Sequence, residues 1–123
     1  MSEPTSPFPI ADFLGMTVEK TGWGTARAEV VVDERHLNPN SVAHGSVVFA
    51  LADTSMGAAT MSILDEGWFC STIEIQVRYL RAVGPGRLTV ETTVVKPGRR
   101  VVQLESRATD RSEEHTSELQ SRV

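Results

Sequence analysis

The sequence predicts an α+β domain in which an antiparallel sheet wraps round one long central helix. Three observations carry that expectation. Gly45–Leu64 is small and apolar nearly throughout, too long for a strand and without a wide polar face, so it reads as a helix covered by other elements. Segments before and after it alternate apolar and polar residues with period two, as half-buried strands do. Pro85-Gly86 and Pro97-Gly98 punctuate the later segments as turns.

Residues 1–7 are rich in Ser, Thr and Pro and read as a disordered lead. Pro9–Leu14 suits a short helical turn. Met16–Lys20 and Thr25–Asp33 read as strands joined at Gly22-Trp23-Gly24, the second with Ala26, Ala28, Val30 and Val32 on one face. Glu34–His44 holds Pro39 and two Asn and reads as a loop. Asp65-Glu66-Gly67 closes the long helix. Cys70–Arg81 is a strand in which Ile73, Ile75, Val77 and Tyr79 alternate with Thr72, Glu74, Gln76 and Arg78. Arg87–Lys96 and Arg99–Thr109 complete the order β-β-α-β-β-β. The tight turns after the helix predict that its three following strands form an antiparallel meander.

The chain has 123 residues, enough for one domain with a single core. A net charge of −4, with no dense Lys/Arg cluster, argues against a nucleic-acid partner. Cys70 is the only cysteine, which excludes an intrachain disulfide and a cysteine-based metal site. The first residues lack the basic and apolar regions of a signal peptide, so the expected location is the cytoplasm. Val42–Leu64 is interrupted by His44, Ser46, Asp53, Thr54 and Ser55, a poor transmembrane span, and no membrane partner is expected.

Asp53 is the most informative residue. A carboxylate buried within an apolar helix costs several kcal/mol unless compensated. Just upstream, His36-Leu-Asn-Pro-Asn-Ser-Val-Ala-His-Gly45 places an amide, an imidazole and a glycine at the helix start. An acid, an imidazole and free helix N–H groups are the materials of acid–base and oxyanion chemistry. Taken singly, each residue also has a plain reading. Asp53 could be a structural acid, Asn38 a turn residue before Pro39, His44 a loop-stabilising side chain and Thr72 a simple strand former.

Asn38, His44-Gly45-Ser46 and Asp53, followed by Ser71–Arg81 with Gly84-Pro85-Gly86 and by Val95–Arg99, resemble the hotdog-fold acyl-CoA thioesterases of the phenylacetate-pathway (PaaI-like) type. The resemblance covers roughly Phe13–Asp110. It departs at Ser46, where the family has a second glycine. It implies the hotdog fold and hydrolysis of an acyl- or aryl-CoA thioester, with no metal or other cofactor. It further implies Asp53 as nucleophile or general base and the Gly45 N–H as oxyanion donor. Asn38, His44 and Thr72 would orient the thioester and the attacking water. Ser46, Arg78, Arg81 and Arg99 would contact substrate, the arginines through the coenzyme A phosphates.

Geometry adds an expectation about assembly. Gly45 and Asp53 lie eight residues apart, so about 12 Å along a helix. A reacting carbonyl has to sit roughly 3 Å from both groups. A two-fold-related second helix can supply the missing partner, which predicts a homodimer with two composite sites, or a homotetramer built as a dimer of dimers. The alternatives are an enoyl-CoA hydratase and a non-catalytic acyl-CoA-binding module. A hydratase has different local signatures, and a binding module has no need of Asp53.

Arg111–Ser121 has a different character. Codon for codon it matches one reading frame of a widely used short-read sequencing adaptor. The expectation is a domain over residues 1–110, a non-biological tail over 111–123, and a sheet lacking the family's final strand.

Overall fold

The computed structural model describes residues 3–111 and 115–123. In chain order it forms β1 (Glu3–Pro4), α1 (Pro9–Leu14), β2 (Thr17–Gly22), β3 (Thr25–Val32), a 3-10 turn at Glu34–His36, α2 (Gly45–Met61), β4 (Glu74–Tyr79), β5 (Gly86–Pro97), β6 (Val102–Asp110) and β7 (His115–Arg122). The strands make one antiparallel sheet in the order β1-β2-β3-β5-β6-β7-β4. The sheet packs on α2 through β2, β3, β5 and β6, as predicted.

The core follows from the two periodicities. Val47, Val48, Leu51, Ala52, Met56 and Ala59 of α2 are buried. They share the core with the inward phases of β3 (Ala26, Ala28, Val30, Val32) and β5 (Leu88, Val90). Each fully buried Leu or Val contributes on the order of 1.5–3 kcal/mol. The opposite face of α2, with Ser46, Phe49, Asp53 and Gly57, is not covered by the sheet. A Cβ placed on Gly57 would meet nothing within 4 Å.

The structure corrects several expectations. The lead is not loose where it is described: Glu3 pairs with Lys20, Pro4 with Glu19, and the Thr5 N–H donates to the Val18 carbonyl at 3.0 Å. Pro4 is tolerated because β1 is an edge strand. α2 stops at Met61 rather than Leu64, because the Ser62 hydroxyl donates to the Ala59 carbonyl at 2.6 Å and accepts the Gly24 N–H at 2.7 Å. β4 starts at Glu74, since the segment before it turns its side chains toward α2: the Cys70 thiol lies 3.8 Å from the Gly57 carbonyl, and Thr72 bonds Asp53.

The meander is also corrected. β4 does not pair with β5. Instead β5 pairs with β3, and β4 crosses to the far edge beside β7. The Leu80–Pro85 connection is not a hairpin; it passes the start of α2, where buried Val83 accepts the Ala43 N–H at 2.7 Å. Finally, the expected gap in the sheet is filled. His115–Arg122 lies between β6 and β4, with Ser117, Leu119 and Ser121 buried and Gln120 and Arg122 outward. Its period-two alternation allows this, although the composition is poor in strand formers.

Candidate active site

The site assembles around the start of α2. His44 is its N-cap, with Nδ1 accepting the Ser46 N–H at 3.0 Å. In the neutral ring the proton then sits on Nε2. Among the described residues the Gly45 N–H has no acceptor, as expected of a first helical residue. That leaves a donor at the positive end of the helix dipole.

The loop before it is held from three sides. The Asp33 carboxylate accepts the Arg35 N–H, and His36 closes a capping box. His36 is buried; its Nδ1 accepts the Asp33 N–H at 2.9 Å, its Nε2 donates to the Leu14 carbonyl at 2.7 Å, and its own carbonyl accepts the His44 N–H at 2.8 Å. Asn38 Oδ1 accepts the N–H groups of Asn40 (2.8 Å) and Val42 (3.4 Å). The turn reading of Asn38 is therefore satisfied by its oxygen, and its Nδ2 remains as a donor. Asn38, Val42, Gly45, Val48, Tyr79 and Leu80 line a cavity of about 380 Å³.

Asp53 is not buried in the core. It is half-exposed on the uncovered face of α2, where Thr72 Oγ1 donates to its Oδ1 at 2.6 Å. Thr72 thus touches the acid itself through Oδ1, and Oδ2 has no hydrogen-bond partner among the described residues. Burial raises the Cys70 thiol above its ordinary value, opposed by a backbone hydrogen bond and reinforced by the nearby Asp53 charge.

The remaining sequence-predicted residues are dispersed. Ser46 is exposed beside Gly45. Arg78 is on the outer face of β4 opposite Glu118. Arg81, near the cavity, is held by Asp110 at 2.8 Å. Arg99 lies in the turn after β5, at the end of the sheet tied to the C-terminus of α2 rather than to Gly45. Sequence reasoning missed Tyr79 and His36. Tyr79 sits in the apolar phase of its strand and gives no polar signal, and His36 is one of several polar residues in a loop.

Residues 40–116 match the family model described as the thioesterase superfamily. The chain belongs to the thioesterase superfamily. Among its relatives, a Haemophilus influenzae protein named as a candidate esterase is 33% identical over 88 residues, covering 72% of this chain and 64% of that one. The match therefore spans just under two thirds of that relative. Among solved structures, a Haemophilus influenzae thioesterase superposes with a TM-score of 0.86 at 26% identity, over 92% of this chain and 79% of the other. The Escherichia coli PaaI protein of the phenylacetic acid degradation operon shares the fold, with a TM-score of 0.84 at 22% identity over 92% and 80% of the two chains. The hotdog architecture is thus the fold of this superfamily member.

Proposed function

We propose that this protein hydrolyses an acyl-CoA or aryl-CoA thioester to the free acid and coenzyme A, without a cofactor. The observation that carries the reading is the pair of groups on α2: a carboxylate steadied by Thr72 and a Gly45 N–H with no acceptor among the described residues. They lie about 12 Å apart along the helix, so one chain cannot bring both to one carbonyl.

A second copy completes the site. The uncovered face of α2 carries Ser46, Ala50, Asp53 and Gly57, small enough for a partner helix to approach closely. β4 is an edge strand; Tyr79 at its end is 52% exposed and Ile73, just before its start, 62% exposed. An unpaired, apolar edge is a template for pairing with another chain. A two-fold axis then sets the Asp53 of one protomer against the Gly45 of its partner.

In the reaction Asp53 takes a proton from water, and the hydroxide adds to the thioester carbonyl. The Gly45 N–H bonds the oxyanion, and collapse expels the coenzyme A thiolate, which recovers the proton. Direct attack by Asp53, with an acyl-carboxylate intermediate hydrolysed afterwards, uses the same groups. Asn38 Nδ2 and His44 Nε2–H are the remaining donors toward the thioester. Ser46 flanks it, and the cavity beside Gly45 takes the acyl group. Exposed Arg78 and Arg99 are the candidates for the coenzyme phosphates, and Arg81 joins them only by sharing its contact with Asp110.

The test is thiol release from a panel of acyl-CoAs beside Asp53→Ala. The variant should fold and dimerise yet lose 10²–10⁴-fold or more in kcat, the span of one general acid–base group. Hydration of crotonyl-CoA would favour the hydratase, and tight retention of intact acyl-CoA would favour the binding module.

A further inference from the structure

We propose that Tyr79 is a positioning residue that aims the oxyanion donor; this inference rests on the reading of Gly45 above. The Tyr79 hydroxyl donates to the Gly45 carbonyl at 2.9 Å, across 34 residues of chain. The ring also lies against the Gly45 Cα: an added Cβ would sit 3.1 Å from Oη, 3.2 Å from Cζ and 3.5 Å from Cε1.

That contact favours glycine at position 45. Gly45 does not have a positive φ, unlike Gly15, Gly24, Gly67 and Gly86, so no backbone conformation demands it. A Cβ here would require the Tyr79 ring to give by a few tenths of an ångström, so the ring favours glycine. The Gly45 N–H itself has no acceptor among the described residues; its peptide plane is held on one side by the His44 carbonyl, which accepts the Val47 N–H at 2.9 Å, and Tyr79 holds the other side of the residue. Holding Gly45 by its carbonyl and against its Cα fixes where the residue sits, and with it where the N–H is placed for a bound carbonyl.

The tie has a counterpart. Thr72 bonds Asp53 just before β4, and Tyr79 bonds Gly45 at the last rung of β4, opposite Ser117. The β4 segment therefore braces both functional positions of α2, running antiparallel to it. Burial also pushes the Tyr79 phenol above its ordinary value, which keeps it a protonated donor at neutral pH.

Two variants separate this role from simple packing. Tyr79→Phe keeps the ring and removes the hydroxyl. It should lower kcat by roughly ten- to a hundredfold, the scale of a small misplacement, with KM within twofold and an unchanged melting temperature. Tyr79 is the only tyrosine, so biosynthetic fluorotyrosine labels this site alone. Its phenol ionises nearer neutrality, and kcat should acquire a fall as pH rises through that ionisation, absent in the unlabelled enzyme. Wild-type kcat in Tyr79→Phe, or a kcat profile that ignores the fluorophenol, would overturn the proposal. If the unmodified protein turns over no thioester, the functional reading fails instead. The tie is then read from the Gly45 amide resonance in ¹⁵N-glycine-labelled protein: a shift on Tyr79→Phe supports it and an unmoved resonance overturns it.

Discussion

A single buried imidazole holds the loop that carries Asn38 and His44. His36 satisfies the Asp33 N–H and the Leu14 carbonyl with its two ring nitrogens. His36→Ala leaves both groups without partners and opens a cavity, so it should cost about 2–4 kcal/mol. A drop in the urea midpoint at constant m would show this; a loss under 1 kcal/mol would mean that the loop is held elsewhere. Cys70 supplies a second residue-scale prediction. Burial first, and the Asp53 charge second, raise its thiol, so less thiolate is present at pH 8 than for a free cysteine. Iodoacetamide should therefore react slowly, and Asp53→Asn should quicken it by removing one raising cause. At this scale the motif residues were legible because acid, amide and imidazole announce chemistry by type. His36 and Tyr79 were not, because their roles depend on partners 22 and 34 residues away.

Helix α2 was legible as an element and misleading as a surface. Its apolar length marks it as covered, yet Phe49 is 41% exposed and Asp53 stands on the same open face. The sequence cannot distinguish residues buried by their own sheet from those left for another helix, since both are small or apolar. The same ambiguity holds around β4, where Tyr79 at the end of the strand and Ile73 just before its start are exposed. Pro85-Gly86 reads locally as a hairpin, and only the tertiary contact of Val83 with Ala43 shows that the connection crosses the sheet instead. Gly57→Leu tests the open face. Within the protomer the new side chain has room, and replacing a mid-helix glycine favours the helix by up to about 1 kcal/mol. The variant should fold at least as stably, sediment as a monomer and lose thiol-releasing activity. A dimeric, active Gly57→Leu would place the partner elsewhere.

The whole sheet depends on β7. It is the strand that pairs β4 to the rest, joining Leu104↔Ser121 on one side and Val77↔Leu119 on the other. Removing residues 111–123 strips Leu119 and Val123 from the core and leaves β4 without its described ladder, so the shortened chain should lose cooperative thermal unfolding. Yet β7 fits its slot poorly. Its inward positions include Ser117 and Ser121, and among the described residues the buried Ser117 Oγ has no hydrogen-bond partner, whereas Ser121 Oγ reaches the Glu74 carbonyl at 2.9 Å. A central strand facing a helix ordinarily presents Val or Ile there. We propose for Arg111–Ser121 the adaptor origin that its residues suggest, with which a strand of suitable periodicity but poor strand composition accords. Two measurements follow. Resequencing the source locus should give codons that diverge after about Asp110, and a continuous frame encoding this tail would refute that origin. Independently, Ser117→Val removes an unpaired buried hydroxyl and adds apolar surface at a strand position, so it should stabilise the chain by about 1 kcal/mol. A destabilising Ser117→Val would mean that the hydroxyl has a partner in the cavity beside Gly45, and that β7 belongs to the site as well as to the sheet.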